Sequence, residues 1–186
     1  QLPKDDYRTN WTAGKAREFI ATIDNKPFFL FCSFVKPHPP LDPPEPYSSL
    51  YQDQNLESIK PIASEAEFNN KPSLVRKTME ENINLENNNL RDSMYKYFGL
   101  ISLIDEAIGN IIDALKENDY LENTLIIFTS DHGDFLGDHY LMGKKFFYEN
   151  AANVPCIISG PGIEKDKISS RLTGHVDILP TILDFA

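Results

Sequence analysis

Apolar residues recur along this chain with two different spacings, and each predicts a different kind of element. Steps of three and four residues predict one helix over Thr12–Asp24 and a longer one over Arg91–Glu117. Continuous apolar runs predict buried strands at Phe28–Val35, Leu125–Phe128 and Val154–Ile158. Strands and helices alternate, so we expect an α/β fold with a partial, mostly parallel sheet flanked by helices.

Two stretches interrupt this alternation. Lys36–Pro46 has six prolines in eleven residues, which predicts a stiff, extended loop. Residues from about 51 to 89 are polar and weakly periodic, and we interpret them as an excursion with short helices. A final helix is predicted to start at His175 and to be cut short by the end of the chain. We therefore expect residues 1–186 to form a single partial domain of a larger protein.

Composition narrows the class of partner. The net charge of −10 argues against a nucleic-acid partner, which normally needs a basic face. No apolar run approaches the roughly 20 residues of a membrane span, so no membrane partner is expected. Cys32 and Cys156 lie in apolar runs and are predicted to be buried free thiols, although a disulfide stays open. A periplasmic or secreted location and a cytoplasmic one both stay open, as does the oligomeric state.

The most informative motif follows the predicted strand at Leu125–Phe128. Asp131 and His132 sit side by side before a glycine, at the strand end where α/β sheets place their ligands. A carboxylate next to an imidazole predicts half of a metal site. The alternative is a polar turn in which the carboxylate of Asp131 caps the next segment.

Several cations and imidazoles are candidates for the chemistry of an anionic substrate. Lys144 and Lys145 are flanked by aromatic residues, and a partly desolvated ammonium would bind a sulfate or phosphate oxygen; the alternative is a solvated pair. His38, held among prolines, is a candidate proton donor or an ordinary loop histidine. His139 and His175 are weaker candidates, and His175 is better explained as a residue at a helix start.

Five motifs occur in an order that resembles type I sulfatases of the alkaline phosphatase superfamily, in particular their choline-sulfatase-like and iduronate-sulfatase-like members. They are Lys36–Pro40, Ile104–Gly109, Thr129–Gly133, Gly143–Glu149 with Val154-Pro155, and Val176–Thr181. The resemblance implies the central-to-late segment of a sulfatase catalytic domain with an alkaline-phosphatase-like core. It also implies hydrolysis of a small-molecule or glycan sulfate ester by a formylglycine nucleophile.

The resemblance assigns roles to four residues. Asp131 and His132 match ligands of a divalent metal, expected to be Ca²⁺ with Mg²⁺ or Mn²⁺ as alternatives. Lys144 matches the lysine that contacts sulfate, and His38 matches the histidine near the leaving oxygen.

The chain also departs from the family pattern. Neither Cys32 nor Cys156 stands in the Cys/Ser-x-Pro-x-Arg motif that carries the nucleophile. We therefore expect the nucleophile region and a C-terminal subdomain to be absent and the segment alone to be inactive. The alternatives are a phosphonate monoester or phosphodiester hydrolase of the same superfamily, or a non-catalytic fragment.

Overall fold

The computed structural model describes residues 6–54, 65–82 and 87–186. Six helices and two strands follow one another along these residues: α1 (Arg8–Ala21), α2 (Glu65–Asn69), α3 (Ser73–Asn82), α4 (Asn87–Glu117), β1 (Ile126–Thr129), α5 (Glu149–Ala152), β2 (Cys156–Ser159) and α6 (Ile178–Phe185). Short 3-10 turns lie at Leu121–Asn123, Asp138–Tyr140 and His175–Asp177. The short helices predicted for the excursion are confirmed by α2 and α3, while its residues 55–64 and 83–86 lie outside the described residues.

The core of the helical layer lies between α1 and α4. Ile20 and Ile23 pack against Ala114 and Leu115, all of them buried. Both helices begin about one turn earlier than their apolar spacing predicts, because the polar first turns add nothing to the apolar stripe that the prediction used. Among the described residues no helix, including the 31-residue α4, is long and apolar enough to cross a bilayer.

Strands β1 and β2 form the sheet of the described chain. They pair in antiparallel register, with Ile126 opposite Ser159 and Thr129 opposite Cys156. The α/β class is confirmed, but this pair does not have the parallel order that we predicted. A parallel pair needs a crossover that traverses the sheet, usually a helix. Here the connection holds only the short 3-10 turn Asp138–Tyr140 and the four-residue α5.

The predicted strand Phe28–Val35 is extended but unpaired in the part of the chain that the structure describes. Its side chains alternate as a strand requires: Phe28 and Leu30 pack on the α1–α4 core, whereas Phe29 and Phe31 are 68% and 80% exposed. The prediction of a buried strand is therefore wrong for this segment, because pairing and burial need a neighbour that the described residues do not provide.

Both cysteines are free thiols, as predicted, but neither is fully buried. Cys32 is half-buried in the extended segment, where burial raises the pKa of its thiol, and Cys156 is exposed on β2. The apolar run of β2 is exposed along its whole length, which its composition alone could not show.

The proline-rich loop is anchored on α1 and α4. The Tyr7 hydroxyl donates to the backbone and carboxylate oxygens of Asp42 at 2.6 and 2.7 Å, and the Lys36 ammonium donates to the same carboxylate at 2.5 Å. At the other end, a Cβ on Gly99 of α4 would lie 2.2 Å from the Tyr47 carbonyl oxygen. The loop can therefore lie this close to α4 only because position 99 is glycine.

Candidate functional site

The turn after β1 is built from hydrogen bonds within a few residues. The Ser130 hydroxyl donates to the His132 carbonyl at 2.9 Å, and the His132 amide donates to Oδ1 of Asp131 at 3.0 Å. These bonds reverse the chain and leave the Asp131 side chain 83% exposed and that of His132 35% exposed. Oδ1 of Asp131 thus bonds to the backbone within the turn, while Oδ2 lies beside the imidazole of His132.

The imidazole of His132 has a defined tautomer. Its Nδ1 lies 2.8 Å from the Gly133 carbonyl oxygen, and since a carbonyl only accepts, Nδ1 carries the proton. A neutral ring therefore has its lone pair on Nε2, which lies 3.3 Å from Oδ2 of Asp131. A carboxylate oxygen and an imidazole nitrogen on the same side are two atoms that could share a metal ion, and a backbone carbonyl on the second ring nitrogen is the usual support of a metal-binding histidine.

These two residues make only part of a metal site. Within residues 6–54, 65–82 and 87–186, no group of three or more histidines, cysteines or acids is arranged to hold a metal ion. A hard cation such as Ca²⁺ takes six to eight oxygen ligands. The residues present therefore fit one side of such a site.

Gly133 fixes the turn to α5. Its amide donates to the Ala151 carbonyl at 2.9 Å, and a Cβ at this position would lie 1.9 Å from the Asn150 carbonyl oxygen. Two residues later, Phe135 is 1% exposed in a core with Val75 and Met79 of α3. The excursion thus supports the loop that follows the turn.

Lys144 is tied to the same loop through its backbone. The carbonyl of Gly143, which has φ 71°, accepts from the Phe135 amide at 2.9 Å. The side chains of Lys144 and Lys145 are both exposed, and neither forms an ion pair within the described residues. Of the aromatic residues that we predicted to flank the two lysines, Phe146 and Tyr148 pack against the core, whereas Phe147 is fully exposed.

The other histidines are placed differently. His38 is exposed in the proline-rich loop, where Nδ1 lies 2.8 Å from the Pro39 carbonyl, and its amide donates to the Val35 carbonyl just before the loop at 3.2 Å. The structure therefore does not bring His38 into contact with the Asp131 turn. His175 starts the 3-10 turn before α6, as its helix-start interpretation predicts, and Nε2 also donates to the Ser130 carbonyl at 2.7 Å.

Tyr97 on α4 is a site residue that the sequence did not indicate. Burial, followed by the nearby charges of Asp134 and Asp131, raises the pKa of its hydroxyl. The charges of two carboxylates of the turn segment therefore reach the Tyr97 hydroxyl and favour its protonated form. It lies beside the apolar stripe of α4, so the spacing signal only marked it as part of a helix.

Comparison with known proteins identifies the family. The sulfatase family model matches residues 3–186. The chain is 38% identical to an arylsulfatase of Clostridium perfringens, over 97% of this chain and 38% of the relative. It is 34% identical to a choline-sulfatase of Rhizobium meliloti, over 87% of this chain and 32% of the relative.

Solved structures agree on the fold. A phosphonate monoester hydrolase from Silicibacter pomeroyi superposes with a TM-score of 0.89 at 26% identity, over 99% of this chain and 38% of that protein. The chain thus spans well under half the length of the relatives that it matches. Sequence and fold together show that this chain belongs to the sulfatase family, as a segment of its alkaline-phosphatase-like domain.

Proposed function

We propose that the full-length protein hydrolyses sulfate esters and that this segment supplies part of the metal site and part of the sulfate pocket. The observation that carries the proposal is the geometry at Asp131 and His132, where the carboxylate Oδ2 and the imidazole Nε2 lie 3.3 Å apart. Family membership supports the reaction class. The substrate would be a small-molecule or glycan sulfate ester.

The proposed metal is Ca²⁺, with Mg²⁺ or Mn²⁺ as alternatives, held by Asp131 and His132 together with ligands from the rest of the protein. The metal would neutralise negative charge on the bound ester and favour attack at sulfur. The residues described here fit that role because they offer a carboxylate oxygen and an imidazole nitrogen on the same side, with the ring oriented by the Gly133 carbonyl.

Lys144 and His38 would act directly on the ester. The unpaired ammonium of Lys144 would bind a sulfate oxygen as a point charge. His38 donates Nδ1–H to the Pro39 carbonyl, so Nε2 is the atom that would give a proton to the leaving alcohol oxygen. This role requires His38 to approach the turn in the full-length protein.

The nucleophile is proposed to be a formylglycine outside this chain, since neither cysteine here stands in its motif. We therefore expect no turnover of nitrophenyl sulfate by the 186-residue chain and turnover by the full-length protein. In that protein Lys144→Ala and His38→Ala should each lower kcat/KM strongly, while Lys145→Ala, at the neighbouring exposed lysine, should have little effect. Turnover by the chain alone, or full activity of Lys144→Ala, would overturn these assignments.

A phosphonate monoester is the second candidate substrate, because the phosphonate monoester hydrolase from Silicibacter pomeroyi superposes closely on this chain. The full-length protein should be assayed against nitrophenyl sulfate and nitrophenyl phenylphosphonate under the same conditions. A higher kcat/KM for the sulfate supports our proposal, and a higher value for the phosphonate favours the alternative. No turnover of either ester would favour a non-catalytic role.

A further inference from the structure

The aromatic ring of Tyr148 is contacted by three other side chains. The Lys71 ammonium lies 4.9 Å from its centroid, the His139 ring 4.9 Å and the Phe135 ring 5.4 Å. Tyr148 ends the segment that begins at Gly143 and directly precedes α5. The segment carrying Lys144 is therefore held at its C-terminal end by a residue from the excursion.

Glu67 of α2 joins two of these contacts. Its Oε1 lies 3.4 Å from the Lys71 ammonium and 3.5 Å from Nδ1 of His139. The side chains of Glu67, Lys71 and His139 are only 25%, 25% and 26% exposed, so the ion pair of Glu67 and Lys71 lies in a partly desolvated place beside the His139 ring. We call Glu67, Lys71, His139 and Tyr148 the clamp.

The loop beneath the clamp needs such support. Leu136, His139 and Tyr140 have φ of 46°, 56° and 57°, a left-handed conformation that is unfavourable for residues other than glycine. A backbone conformation of this kind persists only where contacts with the surrounding structure hold it in place. Apolar contacts of the buried Phe135 and Leu141, each 1% exposed, hold this backbone from the core side. The clamp adds polar contacts to the same loop.

Lys144 has no ion-pair partner of its own among the described residues. The region that its ammonium can reach is therefore determined by the position of its backbone. That backbone is fixed on one side by the bond between the Gly143 carbonyl and the Phe135 amide, and on the other by Tyr148. We propose that Lys71, acting through Tyr148, is a positioning residue for the anion-binding Lys144. This inference rests on the proposed function of Lys144.

The test compares Lys71→Met with Lys71→Arg in the 186-residue chain. Methionine keeps an apolar stem but removes the charge, whereas arginine keeps the charge over the ring. Lys77→Met, at an exposed lysine of α3, is the matched control. Should Lys71→Met fail to fold by circular dichroism, Lys71→Gln allows the same comparison.

The first measurement is amide hydrogen exchange by mass spectrometry. Lys71→Met should speed exchange in peptides covering residues 133–148 by about two- to fivefold, the equivalent of one cation–π contact. Peptides of α1 should be unchanged, and Lys71→Arg should restore the wild-type rate. Unchanged exchange in Lys71→Met would overturn the clamp, whether or not Lys144 binds an anion.

The second measurement is titration with inorganic sulfate, followed by NMR at the amides of Gly143 and Lys144. Lys71→Met should weaken sulfate binding by a similar factor of about two to five, and Lys71→Arg should restore it. Lys144→Met should abolish it, which separates the two hypotheses. Equal sulfate responses of wild type and Lys144→Met contradict the proposed role of Lys144, and unchanged binding in Lys71→Met contradicts positioning.

Discussion

Oδ2 of Asp131 lies 3.3 Å from Nε2 of His132, on the side of the imidazole opposite the Nδ1 that donates to the Gly133 carbonyl. The hydrogen bond to the Gly133 carbonyl orients the imidazole ring so that Nε2 lies beside the Asp131 carboxylate. The pair is the most specific chemical feature of the described chain.

This geometry predicts weak calcium binding by the chain. Calorimetric titration should detect heat for the wild type that Asp131→Asn and His132→Gln each reduce, because the first replaces a charged carboxylate ligand by a neutral amide and the second removes the oriented imidazole. Asp166→Asn, at an exposed acid with φ 56° that asparagine tolerates, is the control and should bind as the wild type does. Equal heats for wild type and Asp131→Asn would contradict the metal assignment.

Gly133→Ala should destabilise the chain. The added Cβ would meet the Asn150 carbonyl oxygen at 1.9 Å, and backbone atoms can give way only by moving α5. We expect the free energy of unfolding in urea to fall by about 1–3 kcal/mol. Gly109→Ala is the matched control, because nothing lies within 4 Å of its Cβ in α4, and it should stabilise by about 0.5–1 kcal/mol. A neutral Gly133→Ala would contradict the close approach.

The anchor of the proline-rich loop should weaken in acid. Burial alone would raise the pKa of Asp42, but hydrogen bonds from Lys36 and Tyr7 and the charge of Lys36 outweigh it and lower the pKa. The stabilising contribution is therefore complete above the ordinary aspartate pKa of about 3.9 and is lost as pH falls through the lower value in the folded chain.

The measurement for Asp42 is a difference between two chains. Urea midpoints of wild type and Asp42→Asn should differ more at about pH 6 than at about pH 3, because asparagine accepts the same hydrogen bonds without titrating. A constant difference across this range would show that the carboxylate charge adds nothing to the anchor.

The unpaired segment Phe28–Val35 should promote self-association of the isolated chain. Phe29 and Phe31 expose 68% and 80% of their surface beside backbone groups that form no ladder in the described part of the chain. Phe31→Lys should therefore reduce the associated fraction in sedimentation velocity. Ile168→Lys, which changes a 97% exposed residue in the same way, is the control and should have a smaller effect. Equal effects would make net charge the explanation.

The spacing of apolar residues predicted most helices and strands well, but it did not predict how they pair and pack. The apolar spacing of α4 and the continuous apolar residues of β1 could be recognised because both patterns depend only on residues that are close in sequence. The antiparallel order of β1 and β2 depends on residues that are distant in sequence, which no period encodes. The same holds for Phe28–Val35, which pairs with no strand among the described residues. The clamp is invisible in sequence for the same reason, since Lys71 and Tyr148 carry no joint pattern.

The candidate site shows the same division. Adjacent Asp131 and His132 could be found because ligands next to each other in sequence are also close in space. Tyr97 could not, because only the fold brings α4 beside the turn. Whether His38 reaches the ester remains a prediction.

The bond from Nε2 of His175 to the Ser130 carbonyl spans 45 residues of sequence and joins the start of the last helix to the turn. A shortened chain that stops before residue 175 would keep Asp131, His132 and Lys144 yet lose this donor. Such a chain would be poorly suited to measuring the metal affinity of the turn, because the Ser130 carbonyl would have lost the hydrogen bond from His175. A chain used to study the turn after β1 should therefore extend at least through His175.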